Sequence, residues 1–164
     1  MKATDISPEI IMLIGVPGSG KSNYVKQLIA DYPEKNYVLL STDDLLAAWG
    51  EAEGLSYSEA FDKYMKRADQ QFKIQFRQAK NTNSNIIIDR TNLTTKGRAK
   101  LLSQLPKEYY KTAVVFNIER DELDKRLAKR EIETGKKVPD RIVTNMINSY
   151  RPPTNAEFDE IKHV

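Results

Sequence analysis

Residues 15–22 constrain this chain more strongly than any other part of its sequence. They read Gly-Val-Pro-Gly-Ser-Gly-Lys-Ser and match the pattern G-x-x-x-x-G-K-[ST] at every fixed position. A short apolar run at residues 10–14 precedes them, and a helical pattern follows at about residues 21–32. Glycines between a buried strand and a helix let successive backbone amides point inward at phosphate groups. The sequence therefore predicts a phosphate-binding loop that contains Gly15, Pro17, Gly18, Ser19, Gly20, Lys21 and Ser22.

Two side chains at the end of this loop extend its predicted chemistry. Lys21 can reach the β- and γ-phosphates of a nucleoside triphosphate, and the hydroxyl of Ser22 can hold Mg²⁺. The helix that begins there presents the positive end of its dipole to the same phosphates. We therefore expect ATP and Mg²⁺ as the cofactors. The motif N-K-x-D, with which GTPases read their base, is absent from the chain.

Short apolar runs alternate with amphipathic stretches along the rest of the chain. After residues 10–14, we expect strands at 37–40, 86–88 and 112–117, and a fifth short strand at 158–161 is left open. We expect helices at about 21–32, just after 41–44, from 58 to about 79, and at 95–104, 121–134 and 140–149, with a loop at 50–57. This alternation predicts an α/β fold in which helices flank a parallel sheet of four or five strands, and the phosphate loop within it indicates a P-loop NTPase. We expect one domain over residues 1–164, with a helical lid at about 120–140.

Acidic residues follow the second predicted strand, at the edge of the sheet where such folds bind their ligands. Asp43 and Asp44 come directly after this strand, and from there a carboxylate can face the phosphate loop. Asp43 could accept a proton from an attacking hydroxyl group. The alternative is that Asp43 or Asp44 only caps the short helix that follows.

Asp89 ends the third predicted strand, Ile86-Ile87-Ile88. An apolar strand that delivers a carboxylate toward the phosphates resembles the Walker B arrangement, and we expect Asp89 to contact Mg²⁺ directly or through water. The alternative is that Asp89 holds the turn at residues 89–92 or orients the acceptor.

Arginines on the charged helix at 121–134 are candidates for stabilising a transferred phosphoryl group. Arg126 and Arg130 are four residues apart and share one helix face. An arginine on a closing segment can neutralise the charge that develops on phosphoryl oxygens. The open alternative is that they pair with neighbouring acids, namely Asp121, Glu122, Asp124 or Glu131.

Composition excludes several other chemistries. The chain of 164 residues has no cysteine, and its single histidine is His163, so we expect no disulfide, thiol nucleophile or catalytic triad. No apolar run approaches the length of a membrane helix, and residues 1–5 carry no secretion signal, so we expect no membrane partner and a cytoplasmic location. Residues 96–141 hold 13 basic and 8 acidic side chains. That excess suits either a polyanionic partner or a solvated face.

Taken in order, these motifs resemble the kinase module of bacteriophage polynucleotide 5′-kinases. The resemblance covers nearly the whole chain and rests on residues 14–22, Asp43-Asp44, Asp89-Arg90-Thr91-Asn92-Leu93, residues 123–130 and Val138-Pro139. It implies that Asp43 is the general base, that Lys21 and Ser22 bind phosphate and Mg²⁺, and that Arg130 is the lid arginine with Arg126 one turn earlier. Arg90, Thr91 and Asn92 would bind the acceptor.

Three departures from the family pattern bear on the acceptor. Leu46 stands where the phage enzyme has an arginine that grips the 3′-phosphate, and the turn at residues 89–92 differs from that of the phage enzyme. The phage enzyme also has a phosphatase domain after its kinase, which this sequence lacks.

The resemblance implies a fold of the P-loop NTPase kinase type. It also implies an activity that moves the γ-phosphate of ATP to the 5′-hydroxyl end of DNA or RNA, in nucleic-acid repair or end processing. Its partners would be a nucleoside triphosphate donor and a nucleic-acid end, and a homo-oligomer is left open. A second hypothesis is a kinase for a nucleoside, sugar or sugar nucleotide, similar to the zeta-toxin-like enzymes. A third is a nucleotide-dependent switch without transfer, against which the presence of both Asp43 and Lys21 argues.

Overall fold

The computed structural model describes residues 7–164, which contain a five-stranded sheet. All neighbouring strands are parallel, in the order β2-β3-β1-β4-β5. The strands are β1 (Glu9–Ile14), β2 (Val38–Leu40), β3 (Ile86–Ile88), β4 (Tyr110–Val115) and β5 (Glu160–His163). The predicted parallel α/β fold is therefore confirmed, and the fifth strand exists two residues later than its sequence pattern indicates.

Six α-helices connect these strands. They are α1 (Lys21–Asp31), α2 (Thr42–Glu53), α3 (Tyr57–Asn81), α4 (Thr95–Leu102), α5 (Arg120–Thr134) and α6 (Asp140–Ser149). The predicted helices are all found, with differences of one or two residues at most ends. Residues 1–6, which carry the expectation about a secretion signal, lie outside the described residues.

The loop predicted at residues 50–57 is wrong over its first part, because α2 continues through Gly50 to Glu53. A Cβ on Gly50 would lie 2.9 Å from the Cβ of Ala60 on α3. Glycine at this position therefore serves the close crossing of two helices, and does not end the first of them. The helix ends instead at Gly54, which has a left-handed φ of 68°.

Side chains of β1 alternate between the two faces of the sheet, and each face is covered by helices. Ile10, Met12 and Ile14 pack with Phe72 and Phe76 of α3 on one face. On the other face, Ile11 and Leu13 form a smaller cluster with Val25 of α1. Of the aromatic residues of α3, Phe72 and Phe76 thus belong to the core.

The strand order reverses at β1, which lies between β3 and β4. The connections from β1 and from β3 lead to opposite sides, and this opens a crevice at the carboxyl ends of the central strands. The phosphate loop and the acidic residues after β2 and β3 lie at these carboxyl ends. No helix within residues 7–164 is long and apolar enough to cross a membrane.

Candidate active site

The phosphate loop joins β1 to α1, and two of its glycines have backbone conformations that other residues rarely adopt. Gly18 has a φ of 84° and Gly20 a φ of 108°. A Cβ on Gly18 would also lie 3.0 Å from Cδ2 of Leu127 on α5. The first helical residue follows Gly20 directly, so free amides of the helix N-terminus lie at the loop. The loop therefore needs glycine both for its turn and for its contact with α5.

The hydroxyl of Ser19 is a buried polar group for which the fold provides no partner. Ser19 is 6% exposed, and its Oγ forms no hydrogen bond within residues 7–164. A Cβ on Gly15 would lie 2.7 Å from this oxygen. A buried hydroxyl without a partner costs about 1–3 kcal/mol, and a phosphate oxygen in the loop would accept its hydrogen. These residues fit the triphosphate that the sequence predicts.

The side chain of Lys21 folds back over the phosphate loop. Its Nζ donates hydrogen bonds of 2.8 Å to the carbonyl of Gly15 and 2.9 Å to that of Val16. Burial lowers the pKa of Lys21 to about 8, while the nearby charges of Asp89 and Asp43 act in the opposite direction. The amine is therefore close to both predicted carboxylates.

Asp43 lies in the first turn of α2, and its carboxylate is exposed. The helix cap is Ser41, whose Oγ accepts from the amide of Asp44 at 3.2 Å. Neither Asp43 nor Asp44 caps the helix with its side chain, so that alternative is wrong. The hydroxyl of Tyr57, the first residue of α3, donates to Oδ1 of Asp43 at 2.7 Å. This bond fixes the carboxylate at the edge of the crevice.

Asp89 follows β3, where its amide donates to the carbonyl of Leu40 at 2.9 Å. Burial raises the pKa of Asp89, Lys21 lowers it, and Asp44 and Asp43 raise it further. A divalent cation would relieve this excess of negative charge. Within residues 7–164, no three acidic or histidine side chains form a metal cluster, so such a cation would rely on phosphate oxygens in addition to Ser22 and Asp89.

Two of the arginines of α5, the predicted site residues Arg126 and Arg130, have different surroundings. Arg126 is exposed, and its Nε lies 3.2 Å from Oε1 of Glu122. This is the pairing with a neighbouring acid that the sequence left open. Arg130 forms no ion pair among the residues that the structure describes. Burial is the main reason for the lowered pKa of Lys21, and the charge of Arg130 lowers it further. The charge of Arg130 therefore acts on Lys21.

The turn after β3 is bonded tightly to the phosphate loop. The amide of Gly15 donates to the carbonyl of Thr91 at 3.0 Å, and Nδ2 of Asn92 donates to the carbonyl of Leu13 at 2.7 Å. Asn92 has a left-handed φ of 50°. Arg90 instead extends toward α3, where its guanidinium lies 4.8 Å from the ring centre of Phe72. The side chain of Arg90 therefore extends away from the phosphate loop.

Sequence reasoning missed Arg98, which is completely buried on α4. Its Nη1 donates to the carbonyls of Asn92 at 3.0 Å and Leu93 at 3.1 Å, and its Nε donates to Oε1 of Glu157 at 2.8 Å. Arg98 thereby holds the turn after β3 and the segment before β5 together. An arginine in a short amphipathic helix normally lies in water, so nothing in the sequence marks it.

Tyr57 and Lys136 were also missed, because only tertiary packing brings Tyr57 to Asp43 and Lys136 to Tyr57. Lys136, just after α5, has its Nζ 5.2 Å from the ring centre of Tyr57. Leu46, in contrast, is completely buried and cannot contact an acceptor. The position at which the phage enzyme has its gripping arginine is therefore part of the core in this chain.

The strand order, the phosphate loop and the acids beside it define a P-loop kinase fold. Residues 10–153 match the AAA_33 family, described as an AAA domain, and the chain belongs to this family. In a solved RNA repair complex, Pnkp1/Rnl/Hen1, one chain is similar to this protein with a TM-score of 0.69 and 25% identity. The match covers 89% of this chain and 45% of that one.

Two curated proteins are similar over most of this chain. Human heterogeneous nuclear ribonucleoprotein U-like protein 2 is 29% identical over 161 residues, which cover 94% of this chain and 21% of that protein. L-seryl-tRNA(Sec) kinase of Methanococcus maripaludis is 25% identical over 146 residues, which cover 88% of this chain and 53% of the kinase. The chain thus spans about a fifth and about half of the length of these relatives.

Proposed function

We propose that this protein is an ATP- and Mg²⁺-dependent kinase that phosphorylates the 5′-hydroxyl end of RNA or DNA. The observation that carries the proposal is an exposed carboxylate, Asp43, held by Tyr57 beside the lysine of a phosphate loop. The similarity to a chain of an RNA repair complex, at 25% identity, favours a nucleic-acid end as the acceptor. The similarity to a seryl-tRNA kinase also supports a hydroxyl acceptor carried on RNA.

In this mechanism, Asp43 accepts the proton of the attacking hydroxyl group as its oxygen bonds to the γ-phosphorus. The bond from that phosphorus to the β,γ-bridging oxygen breaks, and ADP leaves. Lys21, the Ser19 hydroxyl and the loop amides hold the phosphates, and Ser22 and Asp89 would hold Mg²⁺. Mg²⁺, when bound, supplies positive charge that offsets the charge developing on the phosphate oxygens.

Arg130 completes the proposed site from the segment at residues 120–140, which we propose to act as a lid on a single domain. Leu127 of this segment already packs against Gly18 of the phosphate loop. Nη1 of Arg126 lies 3.6 Å from where a Cβ on Gly20 would be. Both arginines thus lie on an element that contacts the loop, which supports a role for Arg130 in stabilising the transferred phosphoryl group.

The proposal is tested by offering ATP labelled at its γ-phosphate to several acceptors in parallel. The acceptors are a 5′-hydroxyl RNA, a 5′-hydroxyl DNA, the same oligonucleotides already phosphorylated, free nucleosides, sugars, and water alone. We expect label only on the 5′-hydroxyl oligonucleotides. Label on none of the oligonucleotides would reject the proposal.

One observation favours a small-molecule acceptor instead. Leu46 is buried, so the grip on a 3′-phosphate that the phage enzymes have is missing. In the same assay, label on a nucleoside or sugar but on no oligonucleotide would establish this alternative. Binding of nucleotide without transfer to any acceptor would indicate a switch.

A further inference from the structure

A groove between α3 and α4 opens beside the turn that follows β3. Its volume is about 560 Å³, and its walls include Lys73, Arg77, Arg90, Lys100 and Asp69. We propose that this groove binds the backbone phosphates of the acceptor strand, on the 3′ side of the reacting end. The inference rests on the proposed function and supplies the grip that the buried Leu46 cannot provide.

The charges that line the groove suit a polyanion. Four of its side chains are basic and one is acidic, and the acid, Asp69, lies 3.2 Å from Lys73 and 3.9 Å from Arg90. Among residues 7–164, no carboxylate forms an ion pair with Arg77 or Lys100. A phosphate in the groove would therefore meet positive charge that the fold leaves largely uncompensated.

The groove is continuous with the site of the proposed reaction. Thr91, one of its lining residues, accepts the hydrogen bond from the amide of Gly15 in the phosphate loop. The helix α3 begins at Tyr57 beside Asp43 and continues to the groove at Arg77, a rise of about 30 Å at the usual helix geometry. A strand with its end at Asp43 can therefore follow one helix into the groove.

The groove offers no platform on which bases could stack. Phe72 and Phe76 lie in its wall but are only 1% and 2% exposed. The guanidinium of Arg90 covers the first ring, and the amine of Lys80 lies 5.5 Å from the centre of the second. Recognition would come from the backbone phosphates, so we expect little dependence on base sequence.

The test compares two triple variants that lose the same number of positive charges. The first is Lys73→Gln/Arg77→Gln/Lys100→Gln in the groove. The control is Lys26→Gln/Lys107→Gln/Lys162→Gln, three exposed lysines outside the groove. Binding of a 3′-labelled single-stranded RNA with a 5′-hydroxyl end is measured by fluorescence anisotropy without nucleotide. Thermal unfolding and ADP binding verify that each variant is folded.

We expect the groove variant to lose most of its RNA affinity and the control to retain it. Three phosphate contacts also predict that wild-type affinity falls about 20-fold more than that of the groove variant when salt rises from about 50 to about 200 mM. Equal affinities and equal salt dependence in the two triple variants would overturn the groove assignment.

Phosphorylation of two acceptors separates this inference from the proposed function. A 5′-hydroxyl dinucleotide is too short to fill the groove, whereas an oligonucleotide is long enough. We expect the groove variant to raise the KM for the oligonucleotide at least tenfold, with little change for the dinucleotide. Transfer to both acceptors without any change in KM would leave the kinase proposal standing and overturn the groove. If RNA binding depends on the groove but neither acceptor is phosphorylated, the groove assignment stands and the kinase proposal is rejected.

Discussion

The phosphate loop and the acceptor side of the site are built in different ways. The loop is a continuous stretch of the sequence whose glycines, lysine and serine act within residues 15–22. The proposed acceptor side combines Asp43 of α2, Tyr57 of α3, Arg130 of α5 and Lys136 beyond it. A local motif fixes its own geometry, whereas the acceptor side depends on how several helices pack. Acceptor preference can therefore change among P-loop kinases while the loop stays the same.

The largest effect should come from Asp43→Asn, which removes the proposed base and keeps the shape of the side chain. We expect the turnover of 5′-hydroxyl oligonucleotides to fall by about 10²–10⁴-fold, because general-base catalysis contributes about that much. ADP affinity should change little, since the loop is untouched. Asp44→Asn is the matched control in the same helical turn, and its turnover should fall far less. Equal losses in both variants would mean that the effect is one of local charge alone.

Arg98→Met should have the largest effect on stability. The change leaves Glu157 and two backbone carbonyls without their buried partner. We expect the free energy of unfolding to fall by about 3–5 kcal/mol, as for other broken buried pairs. Lys96→Met, on an exposed face of the same helix, should cost less than about 0.5 kcal/mol in denaturant unfolding. A small loss of stability in Arg98→Met would show that the turn after β3 is held by other contacts.

The lowered pKa of Lys21 predicts how stability depends on pH on the donor side. The folded protein releases this proton near pH 8 and the unfolded chain near 10.5, so the unfolded state binds more protons in between. Stability should therefore rise with pH across this range relative to Lys21→Met, by no more than about 3 kcal/mol. Unfolding in denaturant without nucleotide, at several pH values, measures the difference. If the stability difference between wild type and Lys21→Met does not change with pH, the amine of Lys21 is exposed to water in the folded protein.

Arg130→Gln should lower turnover by about 10- to 100-fold, less than loss of the base, because one charge on the phosphoryl oxygens is removed. Nucleotide affinity should fall by a smaller factor. Arg126→Gln is the control one turn earlier, where the side chain already pairs with Glu122. Equal losses of turnover and of ATP binding at Arg130 would make it a binding contact only.

The difference between the two regions also explains what could be predicted from the sequence. The buried strands and Gly15–Ser22 follow from local patterns, and they were found where expected. The loop predicted at residues 50–57 is wrong in its first part because the contact of Gly50 with Ala60 involves a residue ten positions away. The role of Arg98 likewise depends on Glu157, and that of Tyr57 on Asp43. Such pairs have no local signal, because tertiary packing alone brings them together.

Tyr57→Phe should have the smallest effect, and it tests whether the acceptor side needs its base held in one position. The change removes only the hydroxyl that donates to Asp43. We expect turnover to fall by about 3- to 10-fold, as for the loss of one hydrogen bond of about 1 kcal/mol, while ADP affinity and thermal stability stay near the wild-type values. Tyr64→Phe is the matched control, because it removes a hydroxyl from the same helix that bonds to Glu53 instead. If both variants keep full turnover, Asp43 is positioned by α2 alone. The geometry of the acceptor side would then depend almost as little on the packing of other helices as that of the phosphate loop.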